Sequence, residues 1–107
     1  MNTNPRPGEV WIVDFGMVAK QRPVLVLAYP QQDDARALVV VLPLTGELRG
    51  MRGEVDIGKP KWLPKHSAVN IQGFASIDRH ALTRKLGVLA PAQLNAVKDA
   101  ICDLLDL

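Results

Sequence analysis

Three short, nearly unbroken apolar runs in the first half of the chain restrict what it can become. Residues 9–15 (Glu9, Val10, Trp11, Ile12, Val13, Asp14, Phe15) are largely β-branched or aromatic and are stopped by Gly16. Residues 22–29 read Arg-Pro-Val-Leu-Val-Leu-Ala-Tyr, and residues 37–44 run from Ala37 through Val39, Val40 and Val41 to Leu44. Short runs this rich in valine suit strands covered on both faces. They fall well below the roughly 18 apolar residues of a membrane-spanning helix. The polar segment Pro30-Gln31-Gln32-Asp33-Asp34 between the second and third runs predicts an antiparallel hairpin. Asp33 and Asp34 then serve the turn rather than a metal ion or acid–base chemistry. A fourth strand is expected over Gly53 to Ile57, an irregular loop around Pro60 and Pro64, and a weakly alternating strand region from Ser67 to Ile77. Closely spaced short strands imply a small barrel or sandwich.

Beyond Ala90-Pro91 the period changes. Leu94, Val97, Ile101, Leu104 and Leu105 fall on one helical stripe, with Lys98, Asp99, Asp103 and Asp106 mostly off it. Pro91 suits a first helical position, while Ala90 is a weak cap and leaves the start open by a turn. The expected architecture is mainly β (α+β), a small barrel with a C-terminal α-helix. Its 107 residues, 48% hydrophobic and 22% charged, suit one folded domain over 1–107 rather than a disordered chain.

The single cysteine, Cys102, permits no internal disulfide and is expected to pack. Residues 1–10, with Pro5 and Pro7 and no apolar core, show no secretory signal, so a cytoplasmic location off the membrane is expected. Net charge is only +2, but residues 51–86 hold seven basic side chains (Arg52, Lys59, Lys61, Lys65, Arg79, Arg84, Lys85) against three acidic ones. A polyanionic partner fits this middle third, and so does an ordinary solvated surface.

Counted outward from the turn near residues 32–33, paired hairpin positions sum to roughly 65–67, which sets Arg22 opposite Pro43 or Thr45 at the open end of the sheet. Opposite residues share a face. A guanidinium and a hydroxyl so placed can clamp a phosphate. Alternatively, Arg22 pairs with Asp14 or Glu47 and Thr45 closes a turn.

No phosphate-cradling glycine loop, His-x-x-x-His or Cys-x-x-Cys is present, so neither a metal site nor a cofactor is expected. His66 and His80 are each a titrating acid–base group or a surface contact. Trp62, among Lys59, Lys61 and Lys65, can stack a nucleic-acid base between phosphate-holding lysines. It can equally fold back onto the barrel or bury at a subunit interface.

These segments carry a family resemblance. Pro7-Gly8-Glu9-Val10-Trp11-Ile12-Val13-Asp14-Phe15-Gly16 resembles the opening strand of the MazF/PemK toxins of type II toxin–antitoxin systems. Arg22-Pro23-Val24-Leu25-Val26, Pro43-Leu44-Thr45, Leu63-Pro64-Lys65-His66-Ser67-Ala68-Val69, Ser76-Ile77-Asp78 and Arg84-Lys85-Leu86-Gly87 follow in the family's order, from about residue 7 to 107.

The resemblance implies an SH3-like barrel of the CcdB/MazF kind and a homodimer. It implies a metal-independent endoribonuclease that cuts single-stranded RNA at short preferred sequences, without cofactor, and a cognate antitoxin with an acidic disordered segment. Its catalytic arginine and hydroxyl fall on Arg22 and Thr45, and its RNA path on Lys20, Gln21, Arg49, Lys61, Trp62, Lys65, His66 and Gln72. One stretch departs. Where many relatives carry Asp-Gln-Ile-Arg, this chain reads Asn70-Ile71-Gln72-Gly73-Phe74-Ala75. Gln72 replaces the acid, so the proton-transfer partner falls to His66, Lys20 or Glu47. The same departure keeps open a non-catalytic, protein-binding module on the same barrel, or a decayed toxin.

Overall fold

The fold is organised around one strand that changes partners halfway along. The computed structural model describes residues 4–14 and 21–107. Within them lie β1 (Glu9–Val13), β2 (Arg22–Ala28), β3 (Leu38–Thr45), β4 (Glu54–Gly58), β5 (Ser67–Asn70), β6 (Ala75–Asp78), a 3-10 turn (Arg79–Ala81), β7 (Leu82–Val88) and α1 (Pro91–Leu105). The strands form an antiparallel sheet in the order β4-β5-β3-β2-β1-β7, with β6 also on β3. One edge of β3 pairs with β2, Val24 opposite Pro43 and Val26 opposite Val41. The other edge pairs first with β6, as far as Val41 opposite Ala75, and then with β5, from Leu44 opposite Val69. Pro43 stands in the gap between these two partners, where a residue without an N–H fits a central strand.

The predicted β2–β3 hairpin is present. Its turn is tied by Asp34, whose carboxylate accepts from the Gln31 N–H at 2.7 Å. The apolar runs of β2 and β3 are continuous because both faces are buried. Leu25, Leu42 and Leu44 enter one core with Val10, Ile57, Val69 and Ile71, while Val24, Val26, Val39 and Val41 enter a second with Val13, Ile77 and Leu82. The first core gathers residues from β1 to β5 and from α1, so the sheet curls around it as a small barrel with the helix against one side. Each such side chain contributes roughly 1.5–3 kcal/mol on burial.

Helix α1 begins where Pro91 predicts, and Gln93 supplies what Ala90 lacks. Its Oε1 accepts from the Ala90 N–H at 3.4 Å, and its amide nitrogen donates to the Ile57 carbonyl of β4 at 3.2 Å. Leu94, Val97, Ile101 and Leu104 pack on the first core. Leu105 stays 51% exposed, because the stripe closes at Leu104 and Asp106 turns left-handed (φ 57°). Cys102 is exposed rather than packed. No helix among the described residues is long and apolar enough to cross a membrane.

The strand pattern departs from expectation in one region and holds an unexpected strand in another. The region Ser67–Ile77 is two strands, because Gly73 breaks it and lies against the Pro43 ring, where an added Cβ would sit 2.5 Å from Cγ. The whole of β7 lacks a sequence signal, since Thr83, Arg84 and Lys85 of this edge strand are exposed and break the apolar pattern. Phe15 and Gly16, expected to end β1, lie outside the described residues. Of the readings of Trp62, the structure takes the packed one. The half-buried indole lies on the first core and directly over Gly87, where an added Cβ would fall 2.4 Å from it. A glycine at the next-to-last position of β7 is therefore required by the indole.

Glu9 joins the outer strands. Its carboxylate accepts from the Arg6 N–H (2.9 Å) and the Trp11 indole N–H (3.0 Å), and pairs with Lys85 of β7 at 3.0 Å. Burial by itself raises its pKa, but these hydrogen bonds and the Lys85 charge outweigh it and hold the group below the ordinary glutamate value.

Two outcomes follow. Gly87→Ala is expected to lower unfolding stability in urea by about 1–3 kcal/mol through overpacking against Trp62, with a shift in tryptophan emission; an unchanged midpoint would refute the contact. Because the folded pKa of Glu9 is depressed, its contribution is complete above the ordinary value of about 4.3 and is lost as pH falls through the folded value. Wild-type protein should therefore lose more stability below that pH than Glu9→Gln, and parallel pH profiles would count against it.

Candidate functional site

The β2–β3 register sums to 67 at Val24–Pro43, Leu25–Leu42 and Val26–Val41. The paired positions end at Val24–Pro43, so Arg22, first in β2, and Thr45, last in β3, lie two residues further out at the same open end of the hairpin. Both alternate in step with Val24, Val26, Val39 and Val41, so both belong to the sheet face of the second core. Arg22 is exposed and forms no ion pair among the described residues, neither with Asp14 nor with Glu47. Thr45 does close a turn, its Oγ1 accepting from the Glu47 N–H at 3.1 Å. That bond uses a lone pair and leaves the hydroxyl proton available for a further acceptor.

A third polar group is held beside them. The stem of Lys65 lies across Gly46, so closely that an added Cβ there would stand 2.3 Å from its Cε and 2.6 Å from its Nζ. The chain supporting Lys65 is fixed by the buried Ser67, whose hydroxyl donates to the Lys65 carbonyl at 3.1 Å. The next residue turns the other way. His66 is bonded through Nε2 to Asp56 of β4 at 2.6 Å. The Gly58 N–H and then His66 hold the Asp56 carboxyl below the usual carboxylate range. Asp56 pairs with Ala68, and Ala68 with Thr45, so this pair lies beyond β5 from Thr45.

Thr45 also borders a cleft of about 300 Å³, walled by Glu47, Arg49, Met51 and Arg52 of the β3–β4 connection, by Gly53 and Glu54, and by Asn70 and Gln72 after β5. The connection is shaped by Glu54, which accepts from the N–H groups of Arg49 (2.9 Å) and Gly50 (3.0 Å). Arg52 reaches back to Asp103 of α1 at 3.1 Å. At Gly53, whose φ is 96°, an added Cβ would stand 3.2 Å from the Gln72 side chain.

Of the residues singled out from the sequence, Arg22, Thr45 and Lys65 gather at one end of the sheet. Thr45, Glu47, Arg49 and Gln72 gather around one cleft. Lys61 and Trp62 sit apart, the first exposed and the second packed on the barrel. Gln21 is exposed and donates to Asp14 at 3.3 Å, and Lys20 lies outside the described residues. His80 is bonded to Asp78 at 2.9 Å and borders a larger, more open hollow of about 550 Å³ with Trp11, Tyr29 and Arg79, which neither Arg22 nor Thr45 lines. Asn70, Met51 and Arg52 were not anticipated. For Met51 and Arg52 the only sequence signal is the Arg49-Gly50-Met51-Arg52-Gly53 composition, two cations among turn-forming glycines, and Asn70 carries none. Among the described residues, no three His, Cys, Asp or Glu side chains converge as a metal site would require.

Comparison with known proteins bears on the family and the fold. Residues 6–105 match the family described as PemK-like, MazF-like toxin of type II toxin-antitoxin system. A probable endoribonuclease of Mycobacterium tuberculosis, MazF5, is 31% identical over 103 residues, 94% of this chain and 93% of its own. Among solved structures, the Mycobacterium tuberculosis toxin MazF-mt6 superposes with a TM-score of 0.77 at 30% identity, covering 95% of this chain and 98% of that one. An endoribonuclease in complex with its cognate antitoxin, from a mycobacterial species, gives 0.79 at 26% identity, with 96% of each chain covered. The curled sheet, its closing helix and a sequence match along nearly the full length make this chain a member of the PemK/MazF family of toxins.

Proposed function

We propose that the protein is the toxin of a type II toxin–antitoxin pair, a cytoplasmic homodimer that cleaves single-stranded mRNA at short preferred sequences without a metal ion. A cognate antitoxin with an acidic disordered segment holds it inactive. The observation that supports this reading is the hairpin register, in which Val24 pairs with Pro43, so that an exposed guanidinium without an ion-pair partner among the described residues and a threonine hydroxyl with a proton to give lie at the same end of the sheet.

The chemistry uses the RNA's own nucleophile. The ribose 2′-oxygen attacks the adjacent phosphorus and the P–O5′ bond breaks. The 2′-proton leaves, the departing 5′-oxygen gains one, and the products are a 2′,3′-cyclic phosphate and a 5′-hydroxyl. Arg22 offsets the charge that builds on the non-bridging oxygens, most strongly at the transition state. Thr45 donates to the same phosphate and fixes its orientation. Lys65, laid over Gly46, adds positive potential along the phosphate path.

The stretch Asn70–Ala75, without a single ionisable side chain, favours a second reading, a barrel that acts by binding a protein rather than by cutting RNA.

Purified protein incubated with a long single-stranded RNA in EDTA is expected to give discrete fragments with 5′-hydroxyl ends and to leave DNA of the same sequence intact. Arg22→Ala should reduce the rate by roughly 10²–10³-fold with an unchanged thermal melt, since the side chain is exposed. RNA left whole by the wild type would remove the nuclease reading in favour of the protein-binding one.

A further inference from the structure

Strand cleavage leaves the departing 5′-oxygen in need of a proton, and few groups at this end of the sheet can give one. A guanidinium in a protein does not release its proton, so Arg22 serves charge alone. Thr45 is an alcohol like the leaving group itself and gains nothing by giving its proton up. An ionised carboxylate only accepts, which sets Glu47 and Glu54 aside. His66 is held by Asp56 at 2.6 Å, beyond β5 from Thr45. The stretch Asn70–Ala75 holds no ionisable group. Among the described residues gathered here, the ammonium of Lys65 is the group whose proton can leave.

Lys65 is placed from both sides along the chain. Leu63 is buried in the first core, and its N–H donates to the Pro60 carbonyl at 3.0 Å. Ser67 is buried, and its hydroxyl donates to the Lys65 carbonyl at 3.1 Å. Between these anchors the Lys65 stem crosses Gly46, the residue that follows Thr45. A Cβ at Gly46 would stand 2.3 Å from the lysine Cε and 2.6 Å from its Nζ. Gly46 is not among the glycines with positive φ. Its missing side chain is therefore not needed by the backbone, and what it leaves room for is the passage of Lys65. The ammonium brought there has no ion-pair partner among the described residues, so no carboxylate competes for its protons.

We infer that Lys65 is the acid of the reaction, the group that protonates the 5′-oxygen as it leaves. The inference rests on the nuclease reading above and gives Lys65 a role that a fixed positive charge cannot fill. As the 2′-oxygen bonds to phosphorus, its proton passes to water. The P–O5′ bond breaks, its electron pair stays on O5′, and that oxygen takes a proton from Nζ. Lys65 is left as a neutral amine and recovers its proton from water, so each turnover restores the ammonium. Gly46 is the positioning residue, acting through the lysine it lets pass.

The test uses a linkage that needs no acid. The wild type's cut site is mapped on a long transcript, and that linkage is then made in an oligoribonucleotide with either oxygen or sulfur at the 5′-bridging position. A thiolate, with an ordinary pKa of about 8.5 in cysteine, departs without a proton. On the oxygen linkage Lys65→Ala and Lys65→Arg should both be slowed by roughly 10²–10⁴-fold, the arginine because it keeps the charge but not a removable proton. On the sulfur linkage both should cut at close to the wild-type rate, while Arg22→Ala stays slow on either. Gly46→Ala, which displaces the lysine stem, should show the same split in milder form. Lys65 is exposed, so thermal melts of its variants should match the wild type. Lys65→Arg cutting the oxygen linkage at the wild-type rate, or Lys65→Ala equally slowed on both linkages, overturns the proton role and leaves the nuclease standing. A transcript left intact by the wild type overturns both.

Discussion

A single strand with two successive partners on one edge determines the layout of this molecule. Because β3 leaves β6 at Val41 and takes up β5 at Leu44, its last residues are carried out of the main sheet plane to a corner where three strands end. Thr45 is at that corner. β2, bonded along the opposite edge, brings Arg22 to the same place, and β5 leads through Ser67 back to Lys65. Arg22 and Thr45 are thus positioned by strands, whereas Lys65 lies in the connection before β5, and groups on rigid elements keep their geometry better than groups on loops. The two buried faces of β2 and β3 have the same origin. A sheet that curls around one core while presenting its reverse to a second needs apolar residues at every position of its central strands.

Much of this was legible in the amino-acid sequence because two periodicities are strong. The valine runs mark β1 to β3, the stripe from Leu94 to Leu104 marks the helix, and a turn flanked by equal runs gives the register that pairs Val24 with Pro43 and brings Arg22 and Thr45 to one end of the hairpin. What the sequence hid has physical reasons. β7 is an edge strand with Thr83, Arg84 and Lys85 in solvent, and solvation erases an alternating pattern. Trp62 sits among lysines in the chain but against Gly87 in space, a contact between residues with no local relation. Asn70 and Met51 gain their setting only when the end of β5 meets the β3–β4 connection. Ladder-borne residues could be anticipated; those assembled from separate loops could not.

Lys65 and His66 show how little the neighbourhood of charges in a sequence says about their roles. Adjacent in the connection before β5, they take different directions. One is drawn over a glycine toward the threonine, and the other is held by Asp56. The same sorting separates Arg49, whose guanidinium stays open to the cleft, from Arg52, which turns to the helix.

That last contact has a mechanical consequence. The Arg52–Asp103 bridge moors the outer wall of the cleft to a helix 51 residues further along the chain, yet both side chains are well over half exposed (64% and 71%). Exposed pairs of this kind contribute only about 0–1 kcal/mol and weaken as ions screen them. The wall is thus tethered by a latch near thermal energy, so the aperture it frames breathes with ionic strength while the ladders behind it stay rigid.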